Sequence, residues 1–185
     1  MRLFVALNFP ASVRHGLWQA AAPLRDRGFP LRWVASDSIH VTVKFLGEVP
    51  PARLPEVQAA LGPAVAGTRA LVLSITGFGV FPPEGVPRVV WAGLDGEPAL
   101  ELLHHAAERA FEPLGFPLEG RPFRPHVTLG RSARTTPTAR FQGLADALAA
   151  LHYETTVHVE SVELMESVPA GRGVTYHVRH SERLS

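Results

Sequence analysis

The 185-residue sequence contains no cysteine and a single lysine, Lys44. Without cysteine there can be no disulfide framework, no thiolate metal site and no cysteine nucleophile. No window approaches the roughly 18 uninterrupted apolar residues of a membrane span. The first residues, MRLFVALNFP, are typical of a strand and lack the long apolar stretch and cleavage site of a signal peptide. We therefore expect a cytoplasmic protein that does not associate with a membrane.

An excess of charge of one sign is also missing, because 18 Lys and Arg residues face 17 Asp and Glu residues, for a net charge of +1. This balance excludes a protein that coats nucleic acid by general electropositivity, so any phosphate must be bound locally. The P-loop, the GxGxxG fingerprint and the GxSxG elbow are absent, which leaves nucleoside triphosphate, dinucleotide and serine-hydrolase functions without support. With 46% hydrophobic and 19% charged residues, the chain is expected to form one folded domain.

An internal repeat divides this domain into residues 1–86 and 87–172, followed by a C-terminal strand. Three landmarks recur at an offset of 86 residues: a strand-like segment, a His-x-Thr strand and a proline that starts a helical pattern. They begin at Arg2 and Arg88, at His40 and His126, and at Pro51 and Pro137.

The pattern between these landmarks predicts helices at about 12–27 and 98–114 and a closing strand in each half, near Leu71 and near Thr155. The C-terminal residues RHSERLS are predicted to fray. The fold class we expect is α+β: a bilobal protein whose two pseudo-symmetric lobes each have an antiparallel sheet backed by helices, with a central cleft between them.

The two His-x-Thr strands carry the candidate site. Because side chains alternate along a strand, His40, Thr42 and Lys44 are predicted to share the polar face of the first. His126 and Thr128 share that of the second. Two related lobes can bring these faces together and place two imidazoles and two hydroxyls around one small volume.

Such a set suits metal-free displacement at phosphorus. In-line attack needs one group to accept a proton from the nucleophile and another to give a proton to the leaving oxygen. An unperturbed pKa near ~6.5 lets one histidine be neutral while the other is protonated. Threonine hydroxyls can donate hydrogen bonds to the non-bridging phosphoryl oxygens as charge builds there.

With these motifs the sequence resembles the two-histidine (2H) phosphoesterases, and among them the RNA 2',3'-cyclic phosphodiesterases, formerly called 2'-5' RNA ligases. The resemblance spans nearly the whole chain and rests on RLFVALNFP, RWVASDSIHVTVKFLGEV, GFGVFP with PRVVWAGL, PFRPHVTLGR and SVELMESVPAGRGVTYHV. It implies a bilobal α+β fold and opening of a terminal 2',3'-cyclic phosphate on RNA to a 2'-phosphate, without metal or cofactor. In some members it also implies reverse ligation through a 2'-5' linkage.

The resemblance makes His40 the proton donor to the leaving 3'-oxygen and His126 the proton acceptor that activates water. It makes Thr42 and Thr128 the residues that hold the phosphate. From the sequence alone, the two histidine roles are interchangeable. Arg131 is a further candidate anion contact, although strict alternation places it on the face opposite His126.

Other side chains are open candidates. Lys44 is either a second phosphate contact or a solvated strand lysine. Four aromatic residues could stack on a terminal base or belong to the core: Trp33, Phe45, Phe123 and Tyr176. The remaining histidines match no zinc spacing, so we expect surface or packing roles for them: His104, His105, His158, His177 and His180.

The expected partner is RNA with a 2',3'-cyclic phosphate end, tRNA fragments being among the candidates, and the expected state is a monomer. Three alternatives stay open: a phosphodiesterase for a small cyclic phosphate such as a mononucleotide or ADP-ribose derivative, a non-catalytic RNA-end binding module, and a metal-dependent hydrolase. The first is tested by comparing rates on oligonucleotide and mononucleotide substrates. The second predicts binding without turnover, and the third is excluded by activity that persists in excess chelator.

Overall fold

The computed structural model of the protein describes residues 1–95 and 98–185. Within these residues the strands are β1 (Arg2–Asn8), β2 (Leu31–Trp33), β3 (His40–Glu48), β4 (Leu71–Phe81), β5 (Val89–Leu94), β6 (His126–Ser132), β7 (Glu154–Val159), β8 (Ser161–Ala170) and β9 (Gly173–Arg183). The α-helices are α1 (Ala11–Ala20), α2 (Ala22–Asp26), α3 (Leu54–Ala59), α4 (Leu61–Val65), α5 (Pro98–Phe111) and α6 (Leu144–Ala149). None of the helices described is long and apolar enough to cross a membrane.

The strands pair antiparallel in the order β7-β4-β5-β6-β3-β1-β8-β9, and β2 adds to β6. The strand that closes each half of the chain crosses to the other half: β4 pairs with β5, and β8 pairs with β1. The predicted α+β class with antiparallel strands is confirmed. Two half-sheets meet where β3 and β6 pair, through Val41 and Val127.

The helices and the main core cover one face of this sheet. Helix α5 buries a stripe at helical spacing, which comprises Leu100, Leu103, Ala107 and Phe111, and these residues join strand residues such as Leu7 in one cluster. We call the other side the open face. Its small apolar cluster contains Phe4, Ala6 and Met165, with Tyr176 packed against it.

The register of the first strands corrects the repeat by one residue. Leu7 pairs with Val41 and Ala92 pairs with Val127, so β1 and β5 correspond at an offset of 85, whereas the His-x-Thr strands correspond at 86. Leu7 and Ala92 both point into the core, and an offset of 86 would match Leu7 with a residue on the opposite face of the sheet.

Two expectations for the C-terminal third are wrong. The single closing strand predicted near Thr155 is two strands interrupted at Glu160, because β7 pairs with β4 in one half-sheet and β8 pairs with β1 in the other. The C-terminal residues do not fray. Strand β9 continues to Arg183, Leu184 is buried and donates its N–H to the Glu160 carbonyl (2.8 Å), and the Ser185 N–H donates to the Thr68 carbonyl (3.0 Å).

Candidate active site

His40 and His126 are the first residues of two adjacent strands, β3 and β6. Val41 and Val127 pair across these strands and are fully buried, so the residues on either side of each valine point to the open face. Because the strands run antiparallel through that pair, His40 lies toward Thr128, and His126 lies toward Thr42. The fold therefore brings the four predicted residues to one place on the open face.

Both imidazoles are held in the same way. Nδ1 of His40 lies 2.8 Å from the Ser38 carbonyl oxygen, and Nδ1 of His126 lies 2.7 Å from the Arg124 carbonyl oxygen. A carbonyl oxygen only accepts, which assigns the proton of each neutral ring to Nδ1 and leaves Nε2 free to exchange a proton. Nε2 of His40 lies 3.2 Å from Oγ1 of Thr42.

Aromatic side chains of the open face fix the ring positions. Phe4 and Tyr176 each pack against His40 with ring centroids 5.0 Å apart. Phe81 packs edge-on against His126 at 5.1 Å. These contacts leave the imidazoles little rotational freedom, as a positioned acid or base requires.

Burial lowers the pKa of His40 and of His126 below the usual 6.5 and is the main cause in both cases. The carbonyl contacts to Ser38 and Arg124 raise the pKa and oppose this effect, whereas the positive charge of Arg131 lowers the pKa of both rings further. His126 also lowers the pKa of His40. Arg131 therefore acts on both histidines at once, and a bound anion would favour their protonation.

A β-bulge follows the threonine of the first strand and overturns the predicted place of Lys44. Thr42 pairs with Ala6 but Lys44 pairs with Val5, which leaves Val43 as an extra residue. The bulge shifts the alternation by one position, so Lys44 points away from the face of His40 and is only 4% exposed. It is neither a phosphate contact nor a solvated lysine.

The second strand has the equivalent bulge. Thr128 pairs with Trp91 and Gly130 pairs with Val90, which leaves Leu129 as the extra residue. The shift moves Arg131 onto the open face, where its side chain is exposed and its charge acts on His126. Strict alternation, which places it on the opposite face, therefore fails at this residue.

Each bulge is anchored by a hydrogen bond to the carbonyl of its extra residue. Nδ1 of His104, on α5, donates to the Val43 carbonyl at 2.8 Å, and the Val34 N–H donates to the Leu129 carbonyl at 2.8 Å. His104 is buried and stacks on Phe123 with centroids 4.1 Å apart. The expected packing role of His104 thus has a definite partner in the strand that carries His40.

Lys44 forms a buried ion pair behind the first bulge. Its Nζ lies 2.7 Å from Oε1 of Glu108 and 3.0 Å from the Pro117 carbonyl, and the second Glu108 oxygen accepts the Glu119 N–H at 2.8 Å. Burial alone would raise the pKa of Glu108, but the hydrogen bonds from Lys44 and Glu119 outweigh burial and hold that pKa below its usual range.

Replacing Lys44 by methionine is expected to lower the free energy of unfolding by about 3–5 kcal/mol, because Glu108 is left buried without its partner. Chemical denaturation measures the loss. The double variant Lys44→Met with Glu108→Leu is the control and should recover much of it. A single variant as stable as the wild type would contradict the importance of this pair.

Residues that the sequence did not single out also lie at the site. Asn8 pairs directly with His40, and cross-strand partners share a face. Its Nδ2 donates to Oε2 of Glu163 at 3.3 Å, and Glu163 is only 7% exposed. Alternation in RLFVALN puts Arg2, Phe4 and Asn8 on one face and could have indicated Asn8.

The four aromatic candidates separate into two groups. Phe45 is 52% exposed on the open face because of the bulge, and Tyr176 packs on His40. Trp33 packs beneath Gly130, where a Cβ would lie 3.2 Å from its ring, and Phe123 stacks on His104. Among the described residues no group of three histidine or acidic side chains could hold a metal ion.

Comparisons with known proteins identify the family of the chain. A family model described as the 2'-5' RNA ligase superfamily matches residues 13–169. The RNA 2',3'-cyclic phosphodiesterase of Aeropyrum pernix is 33% identical over 166 residues, which cover 84% of this chain and 89% of the relative. That of Thermus thermophilus is 37% identical over 144 residues, 74% of this chain and 71% of the relative.

Solved structures have a similar fold. A crystal structure of a Thermus thermophilus protein superposes with a TM-score of 0.82 at 28% identity, covering 100% of this chain and 98% of that one. The crystal structure of E. coli LigT complexed with 3'-AMP has a TM-score of 0.78 at 25% identity, with the same coverage.

Proposed function

Because the chain belongs to the 2'-5' RNA ligase superfamily, we propose that it hydrolyses the terminal 2',3'-cyclic phosphodiester of RNA to a 2'-phosphomonoester. The observation that carries the proposal is the matched pair of histidines on the open face. Each holds its Nδ1 on a backbone carbonyl, which leaves Nε2 as the nitrogen that exchanges a proton, and the charge of Arg131 acts on both rings.

In the proposed reaction, Nε2 of His126 accepts a proton from water while the water oxygen attacks phosphorus. The bond between phosphorus and the 3'-oxygen breaks, and the protonated His40 gives its proton to that oxygen. The product carries a 2'-phosphate and a 3'-hydroxyl. The sequence symmetry leaves the two roles interchangeable, and the family resemblance assigns them.

The charge on the phosphoryl oxygens grows as water attacks. The hydroxyls of Thr42 and Thr128 and the guanidinium of Arg131 are the donors placed to stabilise that charge. A 5'-hydroxyl of a second RNA in place of the water would give a 2'-5' linkage by the same steps. We further propose that the enzyme acts as a cytoplasmic monomer, without metal or cofactor, on RNA fragments such as cleaved tRNA.

The test is incubation of an RNA bearing a 2',3'-cyclic end with enzyme in excess chelator. We expect complete loss of the cyclic end with no added metal. RNA binding without turnover would instead support a non-catalytic RNA-end binding module, and activity lost with chelator would support a metal-dependent hydrolase.

The pH dependence follows from the lowered pKa values of the two histidines. The free enzyme needs one neutral and one protonated imidazole, so kcat/KM should be greatest between their two pKa values, below pH 6.5. A bound phosphate anion raises both pKa values, which moves the optimum of kcat upward. Arg131→Gln removes a positive charge that lowers the pKa of both histidines, so it should move the kcat/KM optimum to higher pH.

Profiles of wild type and Arg131→Gln between about pH 4.5 and 8.5 measure these shifts. A kcat/KM optimum above about pH 7.5 in the wild type would contradict the assignment of both histidines.

A further inference from the structure

Two arginines face each other across β2 and β6 at the edge of the site. Arg32 is the register partner of Arg131, and cross-strand partners lie on the same face of a sheet. The neighbours of Arg32 along β2, Leu31 and Trp33, pack against the core. Arg32 is therefore exposed on the open face, one strand beyond Arg131.

Within the described part of the chain, this pair forms no ion pair, because no carboxylate there lies within ion-pair distance of either guanidinium. The hydrogen bond that Arg32 makes runs from Nη1 to the Arg172 carbonyl at 3.4 Å, at the turn between β8 and β9. Like charges directly opposite each other destabilise a sheet, so this arrangement favours binding of an anion more than it favours folding.

The positions of Arg131 and Arg32 on the open face indicate where that anion would bind. Arg131 lies on the open face with both histidines, and its charge acts on both of them, so it is the proposed contact to the phosphate that reacts. Arg32 is the cross-strand partner of Arg131 on that face. A guanidinium binds a phosphodiester through two parallel N–H donors, which suits it to a second phosphate beside the first.

We infer that Arg32 binds the phosphodiester immediately upstream of the cyclic end, which makes the site selective for oligonucleotides over mononucleotides. The inference rests on the proposed function. It adds a second anion subsite, whose ligand is an RNA backbone phosphate that takes no part in the chemistry.

Three substrates with the same terminal nucleoside 2',3'-cyclic phosphate test it: the mononucleotide, a dinucleotide, and a dinucleotide whose upstream linkage is an uncharged methylphosphonate. Arg32→Gln should lower kcat/KM on the dinucleotide about 10-fold, through KM, because one charge-assisted phosphate contact is lost. The mononucleotide and the methylphosphonate should show no change. Arg32→Lys should recover part of the loss, since it keeps the charge.

Arg69→Gln, which removes an exposed arginine just before β4, is the matched control and should leave all three rates unchanged. The thermal midpoint of Arg32→Gln should be no lower than that of the wild type, because a like-charge pair is relieved. Equal loss on all three substrates, or no loss on the dinucleotide, would overturn the upstream subsite while wild-type turnover upholds the proposed function. A wild type inactive on every substrate would overturn both.

Discussion

Replacing either His40 or His126 by alanine is expected to lower turnover of a cyclic-ended RNA by about 10²- to 10⁴-fold, while RNA binding is retained. The physical reason is that each ring is held by a backbone carbonyl and by aromatic neighbours, which leaves Nε2 to exchange a proton in the proposed reaction. Steady-state rates measure the effect, and binding of the RNA under conditions without turnover separates it from lost affinity.

His158→Ala is the matched control, because this exposed histidine lies on β7, outside the site. Stability gives a second check. The folded-state pKa of both active-site histidines lies below 6.5, so protonation favours the unfolded chain as pH falls below that value. The alanine variants should lose less stability on acidification than the wild type. Near-full activity of either variant would exclude a paired-histidine mechanism.

A substrate whose 3'-oxygen is replaced by sulfur is expected to rescue His40→Ala selectively. A thiolate leaves with a pKa near ~8.5, far below that of an alkoxide, so the leaving group no longer needs the proton of His40. His126→Ala should stay slow on the same substrate, since water still lacks its base. Rates of both variants on the oxygen and sulfur substrates give the comparison.

Rescue of His126→Ala alone would reverse the two roles. Equal rescue of both variants would mean that neither histidine has a dedicated part. The wild type is the reference, because it already supplies the proton and should gain little from sulfur.

The sequence places the two histidines and two threonines on the correct face of the sheet because alternation holds up to the threonine of each strand. His40 and Thr42, like His126 and Thr128, are separated by one buried valine, which fixes their face. The face of two polar residues that flank a buried one can be predicted without knowing the partner strand.

Past the threonine the alternation fails, because a bulge adds a residue that a period of two does not show. Alternation therefore puts Lys44 on the wrong face, and it puts Arg131 on the face opposite His126 although the two side chains share the open face. The burial of Lys44 also depends on Glu108, which lies 64 residues away in sequence. The crossing of β4 and β8 between the half-sheets is likewise a long-range pairing that local patterns do not contain.

The most direct test of the proposed hydrolysis is identification of the phosphomonoester formed from an RNA with a 2',3'-cyclic end, by ³¹P NMR of the product. Protonation of the 3'-oxygen by His40 with water activated by His126 leaves the phosphate on the 2'-oxygen, so the 2'-phosphate should be the product. A 3'-phosphate would mean that the 2'-oxygen leaves instead, and it would contradict the proposed reaction.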